Sequence, residues 1–347
     1  MAAEDSDLMQ EDPSDVPGLS ALRQWRRNAT DASMAIGQTS TPSPADVTRA
    51  YTNTVPSSDD TAALKASAER TTGLMPQLRS WLNLQRDDSL VIEDPAKRGN
   101  IVVETVIVLG VSLGASAIWS ILQILDLLTR PAPLGSQTVA INNSVTPDRP
   151  WLDLSNQLAY IVLTLVPVVL ALYLLSTVRR PDVGAFRVMG LTKSFIGRDL
   201  VLGIAMAAGV GIPGLGLYAA ARALGMNVTI AAGNLASNWW TIPVYILLAA
   251  MNGVLEEVVM IGYLFTRWTQ RGLGPWKVII ISALIRGSYH LYQGFGGFIG
   301  NAIMGIIFGW IFMRTKRVLP LIVAHTILDI VSFIGYALLA PVWGWLK

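Results

Sequence analysis

The chain has 347 residues, 52% of them hydrophobic and only 14% charged, with a mean hydropathy of +0.46. Soluble domains carry about 25% charged residues, so much of this chain faces something other than water. A net charge of +2 gives no basis for a nucleic-acid partner, and the absence of cysteine excludes disulfides, thiolate metal sites and a cysteine nucleophile.

Residues 1–99 are rich in Ser, Thr, Ala, Asp and Pro and hold no long apolar run. Such a segment buries too little surface to offset its ordering entropy and reads as a largely disordered tail. Within it, Leu74, Leu78, Trp81 and Leu82 fall at i, i+4, i+7 and i+8. That spacing fits an amphipathic helix over 74–86 lying on a membrane, and equally a transient local helix. The N-terminus lacks the basic flank and apolar core of a signal peptide.

From residue 100 to 347 the pattern changes to a transmembrane domain. A membrane-crossing helix needs roughly 20 apolar residues. Spans are predicted at 101–128, 157–177, 199–222, 240–265, 277–293, 296–313 and 319–340, the fifth being short and polar. The expected fold class is therefore all-α, a polytopic transmembrane helical bundle of about seven spans with a disordered N-terminal tail. Basic residues cluster in alternate loops: Arg179, Arg180, Arg187, Lys193 and Arg198, then Arg267, Arg271 and Lys277, then Arg314, Lys316 and Arg317. The positive-inside rule places those loops and the tail in the cytoplasm and the C-terminus on the opposite face, with the plasma (inner) membrane as the expected location. Arg267 and Arg271 read as ordinary anchors, and Trp239 and Trp240 fall where an aromatic belt belongs.

Ionisable groups inside hydrocarbon cost at least ~2.5 kcal/mol each on insertion scales and are functional candidates by default. They are concentrated in the last four spans: Glu256 and Glu257, then Arg286 and His290, then the polar Asn301, then His325 and Asp329. Earlier spans offer Glu104 and Asp126, near helix ends. Both histidines of the chain belong to the set. His325 and Asp329 share a helix face at i, i+4, as do Arg286 and His290. Gly272-Leu273-Gly274-Pro275 reads as the turn between the fourth and fifth helices. Antiparallel packing about it sets Glu256 level with His290, and Ile261 level with Arg286. A buried glutamate beside a histidine can activate a water near neutral pH, and a second histidine beside a carboxylate suits oxyanion stabilisation.

The run Leu255-Glu256-Glu257-Val258-Val259-Met260-Ile261-Gly262-Tyr263, then His290, then His325-Thr326-Ile327-Leu328-Asp329, resembles the CPBP family of intramembrane proteases, relatives of the CAAX prenyl protease called Abi proteins in bacteria. The resemblance covers roughly residues 200–340, the protease-like core. It implies that Glu256 and His290 activate the water, that His325 and Asp329 hold the oxyanion, and that Glu257 supports the first glutamate. The family is often labelled metalloprotease, but a metal-free glutamate mechanism is favoured for its CAAX-processing members. No His-Glu-x-x-His is present, so no metal is expected; zinc, if bound, would take Glu256, His290 and His325. The family's arginine after the glutamates is Ile261 here, and its phenylalanine four residues before the first histidine is Arg286. The register suggests that the arginine has crossed the helix pair and still meets Glu257.

Bland readings stand beside these. The glutamates could form a structural salt bridge with Arg286, His290 could be a packing histidine, and His325 with Asp329 could merely join helices. Asn301 reads as a supporting, helix-joining residue, and the glycines of 294–300 as close packing or a flexible entry loop. An intramembrane endopeptidase, acting on a peptide or membrane-anchored protein substrate, is the leading functional expectation. A proton-coupled transporter and a non-catalytic scaffold or immunity protein are the alternatives.

Overall fold

A computed structural model describes residues 80–176 and 184–339. The expected disordered tail, most of the 74–86 helix, Arg179, Arg180 and the last residue of the predicted second and seventh spans lie outside the described residues. Residues 80–82 are helical and 83–87 are not, so that helix ends before 86. The chain divides after Asn83, and the site lies wholly in the part that begins at Leu84.

Helix α1 (Pro95–Gly110) starts where Asp94 accepts from the amides of Ala96 and Lys97, with Pro95 in the first turn. Helix α2 (Leu113–Thr129) follows at a bend of 55°, so the first predicted span is broken rather than straight. The break lies at Gly110-Val111-Ser112, where Ser112 Oγ turns back onto the Val108 carbonyl at 2.5 Å. Strand β1 (Thr138–Ala140) precedes α3 (Pro150–Thr164) and α4 (Val166–Ser176), which together form one long apolar helix. The short α5 (Ala185–Val188) leads to α6 (Ile196–Ala223), then β2 (Thr229–Ala231). Helix α7 (Thr241–Glu256) passes into a π-helical stretch (Glu257–Tyr263) and on into α8 (Leu264–Gln270). Helices α9 (Pro275–Tyr289), α10 (Phe295–Thr315) and α11 (Leu319–Leu339) complete the bundle.

Five helices among the described residues are long and apolar enough to cross a membrane, or six if the bent α1–α2 pair is one span. The chain is an integral membrane protein, helical as expected. Helix α9 has 15 residues, a length of roughly 22 Å against a hydrocarbon core of about 30 Å. It is too short to cross a membrane by itself. The central helix is the one running Thr241–Gln270: 72% of its most apolar stretch is buried, against 17–33% in the other four. Large apolar side chains such as Val106, Trp119, Leu163 and Ile212 face outward, as lipid requires.

Without a hydrophobic force between helices in lipid, close backbone approach holds the bundle together, and small residues permit it. A methyl on Gly203 would fall 2.7 Å from Val323 Cβ, and one on Gly253 would fall 2.6 Å from Thr326 Oγ1. These two glycines clamp α11 between α6 and α7. Gly253→Val overpacks this contact and is expected to cost about 1–3 kcal/mol, read as a lowered unfolding temperature in detergent.

Two buried ion pairs outside the site correct the sequence reading. Arg267 is no simple interfacial anchor: it grips Glu104 with two bonds (2.7 and 3.0 Å) and donates to the Leu174 carbonyl at 2.8 Å, while Tyr263 shares Glu104 at 2.8 Å. Asp199, passed over in the sequence, is buried at the start of α6 and paired with Arg317 at 2.5–2.8 Å.

The 130–149 and 224–240 connections also hold structure that the sequence did not suggest. Strands β1 and β2 pair in parallel, Thr138 opposite Thr229 and Ala140 opposite Ala231. Asn142 Nδ2 donates to Ala232 O (2.8 Å), and the Asp153 carboxylate accepts from the Val145 and Thr146 amides.

Candidate active site

Three segments bring the polar groups together. Helix α7 supplies Asn252 and, at its junction with the π-helical stretch, Glu256 and Glu257. The last turn of α9 supplies Arg286 and Tyr289, with His290 as its C-cap. Helix α11 supplies His325 and Asp329. A π-helical segment is rare and frequently marks a functional site, because the added residue turns neighbouring side chains away from ordinary helical positions. Here it begins at Glu257. Ser282 of α9 donates to the Met260 carbonyl (3.1 Å) and Thr266 to the Gly262 carbonyl (2.6 Å), meeting acceptors within the widened turns.

Glu257 is the structural centre. Its Oε1 accepts from Arg286 Nη2 at 2.7 Å and lies 2.8 Å from His325 Nδ1, all three side chains being buried. Arg286 thus reaches Glu257 from across the helix pair, and its guanidinium also lies over the Phe308 ring at 5.6 Å. Such a pair keeps its two charges only because each meets the other.

Glu256 gathers the remaining polar groups. Its Oε2 accepts from the Tyr289 hydroxyl at 2.7 Å. The same oxygen lies 3.7 Å from His290 Nε2, 3.8 Å from Arg286 Nη1 and 4.0 Å from His325 Nε2. His290 Nε2 is buried with no hydrogen-bond partner among the described residues. Asp329 Oδ1 stands 3.9 Å from His325 Nε2, and its Oδ2 accepts from Asn252 Nδ2 at 2.8 Å. The close carboxylate partner of His325 is therefore Glu257, on another helix, rather than Asp329 one turn along its own. Asn301 is not in the cluster: its Nδ2 donates to Gly297 O of its own helix at 2.9 Å.

Tyr289, Asn252 and Gln293 escaped the sequence reading because they carry no charge, and charge was the signal being followed. Tyr289 sits directly before His290, and Asn252 lies one helical turn before Glu256; adjacency to a flagged ionisable residue was the available clue.

Glu256, Glu257 and His325 offer ligand atoms within 4.8 Å of one another, the spacing a metal site requires. The zinc set expected from the sequence, with His290 in place of Glu257, is not the one that closes. In the set that does, Glu257 Oε1 already serves Arg286 and His325, Glu257 Oε2 has no hydrogen-bond partner among the described residues, and an ion there would stand beside a buried guanidinium.

Backbone outside helices needs its own hydrogen-bond partners. The turn at 290–294 has them: Tyr292 N donates to Ser120 Oγ (2.7 Å), Val228 N to Gln293 O (3.2 Å) and Phe295 N to Met226 O (3.0 Å). Gly294, at φ 105°, forms an isolated bridge with Asn227, and a Cβ there would meet Met226 O at 2.4 Å. Only glycine fits.

No curated protein and no solved structure matches the chain. Residues 238–331, which carry every side chain of this cluster, match the family model described as type II CAAX prenyl endopeptidase Rce1-like, the kind of intramembrane protease that the motifs resemble.

Proposed function

We propose that the chain is an intramembrane endopeptidase, CAAX-protease-like, that hydrolyses peptide bonds in membrane-associated peptides or proteins with a water activated by Glu256 and His290. The observation that carries the reading is the convergence of Tyr289, His290 and His325 on one oxygen of Glu256, inside a segment that matches a protease family. Glu256 Oε2 takes the water proton as oxygen attacks the scissile carbonyl, and returns it to the leaving amine as the tetrahedral intermediate collapses. His325, set among the carboxylates of Glu256, Glu257 and Asp329, offers Nε2–H to the developing oxyanion. Glu257, at Nδ1, keeps that imidazole in place, and Asp329, fixed by Asn252, stands beside Nε2. Arg286 neutralises Glu257 so that the second carboxylate adds no repulsion to the attacking hydroxide.

In this reading residues 100–347 form the catalytic membrane domain, with the protease-like core at about 200–340. The tail 1–99 is cytoplasmic, and the membrane is the plasma (inner) membrane. The test compares peptides released from membranes of cells bearing the wild-type protein with those from cells bearing Glu256→Gln. Wild-type membranes are expected to yield products that the variant does not; identical profiles, with both proteins present and folded, would remove the enzymatic reading.

A further inference from the structure

Gln293 follows His290 by three residues in the 3-10 turn (Leu291–Gln293), and its amide N donates to the His290 carbonyl at 3.0 Å. The Gln293 side chain folds back over that turn. Its Nε2 lies 3.2 Å from His290 Nδ1 and 3.1 Å from the Tyr292 hydroxyl. On the far side of the ring, His290 Nε2 faces Glu256 Oε2 at 3.7 Å. A neutral imidazole carries hydrogen on one nitrogen and a lone pair on the other, and the bond made at one fixes the state of the other. A lone pair on Nε2 would point at a carboxylate oxygen and be repelled. The hydrogen therefore sits on Nε2, and Nδ1 needs a donor. The group within hydrogen-bond range of Nδ1 is the Gln293 amide, whose donor is Nε2.

The geometry points to Gln293 as the residue that locks His290 in its Nε2–H tautomer. His290 then orients the attacking water by donating to it, and Glu256 alone accepts the proton. This deepens the hydrolytic reading and rests on it for its consequence, though not for its test. The seat of Gln293 is built into the fold in two ways. Its backbone is tied to Val228, and Gly297 leaves it room: a methyl there would fall 2.6 Å from Gln293 Cβ and 3.1 Å from its Oε1. That contact gives one glycine of the 294–300 run a role beyond helix packing.

The chain contains two histidines, so its imidazole nitrogen spectrum holds few signals. Full-length protein labelled with nitrogen-15 histidine is reconstituted in lipid bilayers, and the His290 resonances are assigned by comparison with His325→Gln. In the wild type, His290 Nδ1 is expected in the pyridine-type region and Nε2 in the pyrrole-type region. In Gln293→Glu the new carboxylate accepts from Nδ1 while Nε2 still faces Glu256, so the ring takes a second proton and both nitrogens move to the imidazolium region. Gln293→Leu, which removes the donor, and Gly297→Ala, which displaces it, both give a mixture of tautomers. A wild-type Nδ1 that carries hydrogen, or a His290 spectrum unchanged across all three variants, would overturn the proposal. No substrate enters this measurement, so it fails or succeeds independently of the peptidase reading. The peptide released by wild-type but not by Glu256→Gln membranes then supplies the kinetic arm: Gln293→Leu lowers kcat and leaves KM unchanged.

Discussion

Arg286→Leu is expected to unfold or severely destabilise the protein. Arg286 and Glu257 are both 0% exposed, and removing one partner of a buried pair costs about 3–5 kcal/mol, because it strands the other charge. The stranded group would be Glu257, left with His325 Nδ1 as its one remaining hydrogen-bond partner among the described residues. The effect comes from isolation of the charge rather than from loss of an attraction. Arg286→Leu combined with Glu257→Gln should therefore recover most of the stability, since the amide oxygen still accepts from His325. Thermal unfolding of the purified variants in detergent, alongside their yield in the membrane fraction, checks both arms. A single Arg286→Leu protein as stable as wild type would remove the argument that this arginine replaces the family's own across the helix pair.

Glu256→Gln should act in the opposite way, sparing the fold and removing the chemistry. The glutamine oxygen still accepts from Tyr289, and no buried cation depends on Glu256 alone, because Arg286 makes its close bond to Glu257. A general base contributes about 10²–10⁴-fold to rate, and a loss of at least that size is expected in kcat with little change in KM or unfolding temperature. Glu257→Gln gives the reverse profile, a stability defect first. Two adjacent carboxylates thus have separable roles, and the pair of variants distinguishes them. Turnover of Glu256→Gln within about tenfold of wild type would contradict its role as the base.

Much of this was legible in the sequence, for reasons that differ by element. The helices over 241–270, 295–315 and 319–339 announce themselves because lipid demands continuous apolar runs. The Gly272–Pro275 turn then fixed the register of α7 through α9, and with it the meeting of Glu256 with His290 and of Glu257 with Arg286. What stayed hidden depends on contacts made at a distance along the chain. The π-helical stretch after Glu256 carries no local sequence signature, and one of its carbonyls, that of Met260, meets Ser282 of α9. Strands β1 and β2 are three residues each and lie about ninety residues apart, so no local period marks them. Asp199 was passed over and Arg267 read as a positive-inside anchor, whereas each is buried against a partner distant in the sequence. Gln293, being neutral, raised no signal of cost.

The sealing of the 290–294 turn by residues 226–228 carries a practical consequence for anyone mapping topology. Reporter insertions are usually sent to external connections on the assumption that these tolerate cargo. An insertion between Met226 and Ala231 would part the hydrogen bonds that Val228 makes to Gln293 and Phe295 makes to Met226, and would break the parallel ladder with them. Such a fusion would disturb His290 from about sixty positions upstream, so its fluorescence or phosphatase signal would describe a damaged protein rather than the native orientation.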